Sequence, residues 1–341
     1  MKKTLSYLIA VLILSCSAPK HGVVDSAHEV DFTLAFGSCN KTELPNLLWD
    51  DIVDSNPNVW IWGGDNIYAD TDDMSLLRAM YDAQQAVPGY SKLVNVTEVL
   101  GTWDDHDYGL NDGGVEYTSK DESQQEFWNF MRVPMQSPLR TQKGVYRTKD
   151  FNIDQGSIKI IILDTRYFRT PLTPDHETKK RIKPNEYGIG TILGEGQWVW
   201  LENELLHSKA DFNIIVSSIQ FLSREHGFET WGNFPHEVDR LEQTIVKSKA
   251  KGVVLLSGDR HISEFSRKSL DGMEYPLIDF TSSGLTHTYR GFTGEPNPYR
   301  VGKVIFTESF GLLNFNFKAK KIDFQIVGDG GVVLEKMEQV F

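Results

Sequence analysis

The residues best suited to chemistry in this sequence stand at the ends of short apolar runs. Phe32 to Phe36 leads to Gly37-Ser38-Cys39-Asn40, and Val59 to Trp62 leads to Gly63-Gly64-Asp65-Asn66-Ile67-Tyr68-Ala69-Asp70. Val99 to Trp103 leads to Asp104-Asp105-His106-Asp107-Tyr108-Gly109, and Ile158 to Leu163 leads to Asp164-Thr165-Arg166. Phe212 to Val216 leads to Ser217-Ser218-Ile219-Gln220, and Val253 to Leu256 leads to Ser257-Gly258-Asp259-Arg260-His261. Carboxylates gathered this densely repel one another unless protons or cations neutralise them, and a multivalent cation does so while remaining useful for catalysis. Two cations about 3.5 to 4 Å apart can clamp a phosphoryl group during in-line displacement. They need a shared carboxylate, and Asp65, on a glycine-flanked turn, is the candidate.

Such groups meet only if the apolar runs are strands whose carboxyl ends share one sheet edge, where α/β folds place their chemistry. The six runs read as buried strands. Helical patterns separate several of them, over Glu43 to Asp54, Met74 to Ala86, Gln124 to Arg132, Gly196 to Leu206 and Pro235 to Ser248. From Val304 to Phe341 apolar and polar residues alternate, as in Leu313-Asn314-Phe315-Asn316-Phe317, which predicts antiparallel strands completing a sheet. These patterns alone support an α/β protein.

The first residues carry a targeting signal. A basic start, Met1-Lys2-Lys3, precedes an apolar run from Leu5 to Leu14, and Leu14-Ser15-Cys16 follows. This pattern predicts a bacterial lipoprotein signal over residues 1–16 ending at a lipidated Cys16, with 17–30 as a tether and 31–341 as one continuous domain. A single membrane-spanning helix is the alternative, but the run is shorter than the ~20 residues a bilayer requires. With Cys16 acylated, Cys39 is the one remaining thiol, so no intramolecular disulfide can form. A free thiol in an exported protein persists when it is buried and inert, or when a metal holds it as thiolate. The net charge of -12 argues against a non-specific nucleic-acid binder, which works through a basic face, and no nucleic-acid-binding module is expected.

Taken together, Gly-Ser-Cys at 37 to 39, Gly-Asp-Asn-Ile-Tyr at 64 to 68, Trp-Asp-Asp-His-Asp at 103 to 107, Asp-Thr-Arg at 164 to 166, Gln197-Trp198-Val199-Trp200-Leu201-Glu202 and Gly-Asp-Arg-His at 258 to 261 resemble the alkaline phosphatase D (PhoD-like) family of calcineurin-like metallophosphoesterases. The resemblance spans about residues 32 to 290, in order. It implies an αββα sandwich of two mixed β-sheets flanked by helices. It also implies a metal-dependent phosphoesterase acting on phosphate monoesters, diesters or both; with the N-terminal signal this makes an exported enzyme anchored to a membrane by lipid, and a monomer is expected. Many members carry a separate N-terminal β domain, which this sequence is expected to lack, because Phe32 opens the first strand soon after Cys16.

By the same resemblance, Cys39 and Tyr68 supply thiolate and phenolate to one ion, Asp65 bridges, and Asp105, Asp259 and His261 complete the ligands. Thiolate with phenolate suits Fe3+, and the carboxylate-rich position suits Ca2+, in place of a plain Zn2+ or Mn2+ pair. Many of the wider superfamily begin with Asp-x-His and close with Gly-His-x-His; Ser38-Cys39 and Gly258-Asp259-Arg260-His261 depart from both. His106 stands where a histidine protonates the leaving oxygen, and Arg166 and Arg260 are expected to bind phosphate oxygens. Asp104, Asp107, Asn111 and Asp164 read as supporting residues around the ligands, with capping or loop bracing as the plainer reading of the acids. Tyr68 also reads as core packing with a satisfied hydroxyl. His207, His226, His236 and His287 read as structural or surface residues, His226 and His287 lying in long loops that could border the pocket. A non-catalytic, metal-stabilised surface lipoprotein that binds a phosphorylated ligand is the competing class of function. It does not require a proton-donating histidine or phosphate-facing arginines.

Overall fold

The computed structural model describes residues 30–341. The signal, the lipidation at Cys16 and residues 17–29 of the tether lie outside the described residues. The chain starts with a parallel run of strand β1 (Phe32–Gly37), helix α1 (Trp49–Asp54), β2 (Val59–Gly63), helices α2 (Met74–Ala86) and α3 (Pro88–Val94), and β3 (Glu98–Thr102). One turn of helix, α4 (Asp105–Tyr108), and α5 (Lys120–Phe130) lead to the hairpin of β4 (Arg147–Ile153) and β5 (Gly156–Ile162). A small ribbon of β6 (Thr173–Pro174) and β7 (Ile182–Lys183) precedes α6 (Gly194–His207), β8 (Phe212–Val216), α7 (Pro235–Ser248) and β9 (Val253–Ser257). The strands β10 (Ser263–Lys268), β11 (Leu277–Ser282) and β12 (Arg300–Ile305) come before a meander of β13 (Phe310–Asn316), β14 (Lys321–Gly328) and β15 (Val332–Val340).

These strands build two large mixed sheets. One runs β15-β14-β13-β1-β2-β3, the other β12-β10-β11-β9-β8-β5-β4. Side chains alternate across each strand, and the alternation separates three apolar layers. Leu34 and Phe36 of β1 meet Ile214 and Val216 of β8 between the sheets. Ala35 of β1 faces outward into a layer with Trp49, Trp60, Trp62, Tyr81 and Phe127, under helices α1 to α3 and α5. Ile215 of β8 faces outward among Trp198, Leu201, Leu241 and Ile245, under α6 and α7. The result is the expected αββα layering, with the tryptophans at 60, 62, 103 and 198 in the core.

All six expected strands form, and the helices over Met74–Ala86 and Pro235–Ser248 have the expected bounds. The helix expected from Glu43 starts only at Trp49. Pro45 disfavours helical backbone at Leu44, and the Asn46 side chain caps Leu48 N at 2.9 Å. Within the tail, Val304 and Ile305 pair in β12 with the second sheet, while β13 to β15 extend the first. Among the described residues no helix is long and apolar enough to cross a membrane.

Candidate metal centre

The carboxyl ends of β1 and β2 are adjacent parallel strands, with Gly37 in register with Trp62, and their loops are stitched together. Asn40 N donates to Asp65 O at 2.9 Å, and Cys39 N to Gly64 O at 3.4 Å. The loop after β9 is tied in by Gly258 N donating to Ser218 O at 2.9 Å. Close approach needs glycine at two points. A Cβ on Gly64, where φ is +97°, would sit 2.6 Å from Asp104 Cβ, and one on Gly258 would sit 2.5 Å from Ser38 Oγ. Cys39, Asp65, Asp259 and His261 all take left-handed φ, at 60°, 51°, 65° and 54°. Such backbone costs of order 1 to 3 kcal/mol per residue, and it collects where surrounding structure aims a side chain for a purpose.

The aimed side chains form two adjoining clusters. Ligand atoms of Cys39, Asp65 and His261 lie within 4.8 Å of one another, as do those of Asp65, Asp105 and His106, and of Asp104, Asp105 and Asp259. Tyr68 joins the first: its hydroxyl lies 3.1 Å from Asp65 Oδ2 and 3.2 Å from His261 Nε2. Cys39 Sγ lies 3.4 Å from the same Asp65 oxygen. Asp65 therefore belongs to both clusters, where a bridging carboxylate must stand. Asp104, read from the sequence as a supporting acid, has an oxygen within this ligand range as well.

Electrostatics point to cations. Burial first, then Cys39 and the carboxylates of Asp105, Asp104 and Asp107, hold Asp65 well above the usual carboxylate range. Burial, with Asp105 beside it, pushes Asp259 up to about 7. Burial likewise pushes the Cys39 thiol up to about 11, and burial with the charges of Asp65 and Cys39 pushes the Tyr68 phenol well above its ordinary value. Without a cation, thiol and phenol stay protonated and the acids repel; a multivalent cation reverses both. The donors fit the expected ions. Thiol, phenol, imidazole and carboxylate gather in the first cluster; Asp65 and Asp105 meet His106 in the second, and Asp104, Asp105 and Asp259 form an all-carboxylate group beside it.

Supporting residues surround these ligands. Asn111 Nδ2 donates to Asp105 Oδ2 at 3.0 Å. Asp107 is a brace: it accepts from Asp104 N at 2.7 Å, Asn66 Nδ2 at 2.6 Å and Tyr81 OH at 3.2 Å. Asp164 braces too, accepting from Trp103 Nε1 at 3.0 Å and from the backbone of Val145, Arg166 and Tyr167. His106 projects from α4 and packs its ring on Tyr68, centroids 4.1 Å apart.

The arginines depart from expectation. Arg166 is fully buried, paired with Asp104 and with Glu229 at 2.5 Å, and Arg169 pairs with Glu229 at 2.9 Å. Its guanidinium neutralises acids beneath the centre and is shut off from a ligand. Arg260 pairs with Glu295 at 2.7 Å and stacks on Phe228 at 4.2 Å, with 8% of its side chain exposed. Arg166 is closed off by its counter-charges, whereas Arg260 keeps an Nε without a hydrogen-bond partner.

Four residues escaped the sequence reading. Asp70 carboxylate oxygens lie 2.8 and 2.9 Å from His106 Nδ1. It closes the Gly64–Tyr68 segment and was visible as an acid, but only folding shows its partner. Ser283 accepts from His261 N at 2.7 Å, which leaves its hydroxyl proton for Cys39 Sγ at 3.1 Å. The signal for it was the segment Leu277-Ile278-Asp279-Phe280 ending in Thr-Ser-Ser-Gly. His287, read as structural or surface in a long loop that could border the pocket, packs its ring 4.5 Å from His261 and 5.0 Å from Tyr68. Lys41 Nζ sits 4.8 Å from the Tyr68 ring centroid.

Comparison with known proteins agrees with this geometry. Residues 34–286 match the family described as PhoD-like phosphatase. Alkaline phosphatase D of Bacillus subtilis (strain 168) is 27% identical over 140 residues, which cover 36% of this chain and 24% of that protein, so the match spans about a quarter of that relative. A solved structure titled as that of PhoD superposes with a TM-score of 0.71 at 18% identity, covering 92% of this chain and 69% of the other. A dimetal phosphatase from Danio rerio gives 0.55 at 12%, covering 92% and 100%. GAP50, described as the anchor in the inner membrane complex of Plasmodium, gives 0.58 at 12%, covering 92% and 90%. One fold thus serves proteins titled as a phosphatase and as an anchor, so function has to be argued from the site.

Proposed function

The chain belongs to the PhoD-like phosphatase family, and from that premise we propose that it is a metal-dependent phosphoric ester hydrolase, exported and held on a membrane surface by lipid at Cys16. The observation that carries the reading is the sharing of Asp65 between two ligand clusters, one with thiol, phenol and imidazole, the other with Asp105 and His106, and Asp105 in turn belongs to an all-carboxylate group with Asp104 and Asp259. We assign Fe3+ to Cys39, Asp65, Tyr68 and His261, and Ca2+ to Asp65, Asp105 and Asp259, with Asp104 alongside. When bound, these cations supply Lewis acidity toward the phosphoryl group and the attacking water.

The residues of the chain do the rest. Asp65 holds both positions in one frame, because its backbone N is bonded to Asp107 Oδ1 at 3.2 Å and its carbonyl to Asn40 N. Ser283 directs a hydroxyl proton at Cys39 Sγ and so favours the thiolate. Asp70 fixes His106 through Nδ1, leaving Nε2 to deliver a proton to the leaving-group oxygen. Burial lowers the pKa of His106, and the hydrogen bond to Asp70, an acid outside both clusters, opposes it.

The test is metal content of a soluble form lacking residues 1–16, beside hydrolysis of chromogenic phosphate monoester and diester substrates. Iron with calcium and chelator-sensitive hydrolysis is the expected result, and the ratio of the two activities assigns the ester class. A folded protein that neither holds metal nor hydrolyses either ester after both ions are supplied overturns the proposal.

A further inference from the structure

A phosphate ester brings negative charge to a centre lined by carboxylates, and the two arginines expected to receive it are committed to Asp104, Glu229 and Glu295. Beside the cations, further donors of the chain can meet the phosphoryl oxygens. Two groups beside Tyr68 have the chemistry and lack partners.

The first is Lys41, whose ammonium lies over the Tyr68 ring and pairs with no carboxylate among the described residues. The second is His287, whose Nε2 is buried with no hydrogen-bond partner. Thr286 ties the two together. Its hydroxyl accepts from Lys41 N at 2.8 Å and lies 3.1 Å from His287 Nδ1. Cys39 O, the other acceptor within reach of that hydroxyl at 3.4 Å, already receives Thr286 N. With the hydroxyl proton given to Nδ1, the shorter of its two contacts, the proton of the neutral imidazole stands on Nε2. A protonated Nε2 cannot ligate a cation, and His287 belongs to none of the clusters whose ligand atoms come within 4.8 Å. A buried N–H without an acceptor is costly, and an incoming oxygen removes that cost.

We propose that Lys41 and His287 clamp the phosphoryl oxygens of the ligand, Lys41 by charge and His287 by its Nε2–H. The clamp rests on the phosphoesterase reading for its ligand. Both residues flank Tyr68, against which His106 also packs, and in this reading they hold the phosphoryl group while His106 serves the leaving oxygen.

The experiment is calorimetric titration of inorganic phosphate into the metal-replete protein, for the wild type, Lys41→Met and His287→Gln, with Lys41→Arg as the charge-preserving control and metal content measured for each. Phosphate affinity should fall by about tenfold or more in Lys41→Met and in His287→Gln, with metal retained, and recover in Lys41→Arg. Affinity within about twofold of wild type in both variants overturns the clamp, as does wild-type protein that binds no phosphate. Loss of metal in His287→Gln makes the residue a ligand and overturns it also. Because phosphate is not hydrolysed, the two readings separate. Phosphate binding that depends on both residues, in a protein that hydrolyses no ester, keeps the clamp and discards the esterase. Hydrolysis with unchanged phosphate affinity in both variants does the reverse.

Discussion

Asp65 is where the largest single-residue effect is expected. Its carboxylate faces Cys39 Sγ, Tyr68 OH and His106 N, so both cation positions depend on it. Asp65→Asn should remove metal and activity together, checked by elemental analysis beside hydrolysis. Full activity in that variant rules out the bridge. His106 makes a different prediction. Asp70 holds its Nδ1, and its proposed task is to move a proton, so His106→Ala should keep bound metal and lose ~10² or more in turnover. If metal leaves with the histidine, it is a ligand and the proton-donor role fails. Both residues were nameable from Gly-Asp-Asn-Ile-Tyr and Trp-Asp-Asp-His-Asp. Asp70 and Ser283 were not, because an isolated acid and a serine in a Thr-Ser-Ser-Gly turn gain meaning only from the atoms they reach.

At the scale of elements, the site consists of turns held against one another from beneath. Asp164, Arg166 and Arg169 follow β5, Asp104 opens α4, and Glu229 comes from the loop between β8 and α7; the ion pairs join these segments in full burial. Removing one partner of a buried pair strands the others. Glu229→Gln leaves two arginines short of charge and should cost about 3 to 5 kcal/mol in chemical denaturation. It should also lower metal affinity, because Asp104 then shares its arginine less effectively with the cluster. A variant as stable as wild type shows that the network contributes nothing net. Asp-Thr-Arg announced these residues as chemistry. The structure makes them foundation, because an arginine with three buried carboxylates around it has no reason to face solvent.

Stability of the whole molecule should depend on pH through a group away from the centre. Asp279, inside β11, accepts from Phe221 N and Leu222 N at 2.9 and 2.8 Å and from Ser257 Oγ at 2.8 Å. Burial outweighs these bonds and pushes its pKa up to about 6. The unfolded chain gives up this proton near 3.8 and the folded one near 6. The contribution is complete below about pH 4 and lost as pH rises through 6, on the order of 2 to 3 kcal/mol. Thermal unfolding of Asp279→Asn, set against wild type from pH 4 to 8, should lack that decline; parallel curves dismiss it.

What the sequence determined by itself was the six strands that end in polar motifs, the strand pattern of the tail, the order of the motifs and the chemistry they imply. Buried strands of five or six apolar residues and turns such as Gly-Gly-Asp and Gly-Asp-Arg-His are local patterns, legible without a partner. What tertiary structure decided was which polar atoms meet. Cys39 and His261 are joined through Ser283, His106 faces Asp70, and Arg166 turns inward to Asp104 and Glu229. Those pairings cross 22 to 244 residues of sequence, and whether a charge faces a ligand or a counter-charge depends on which loops close over it, a property no local pattern carries.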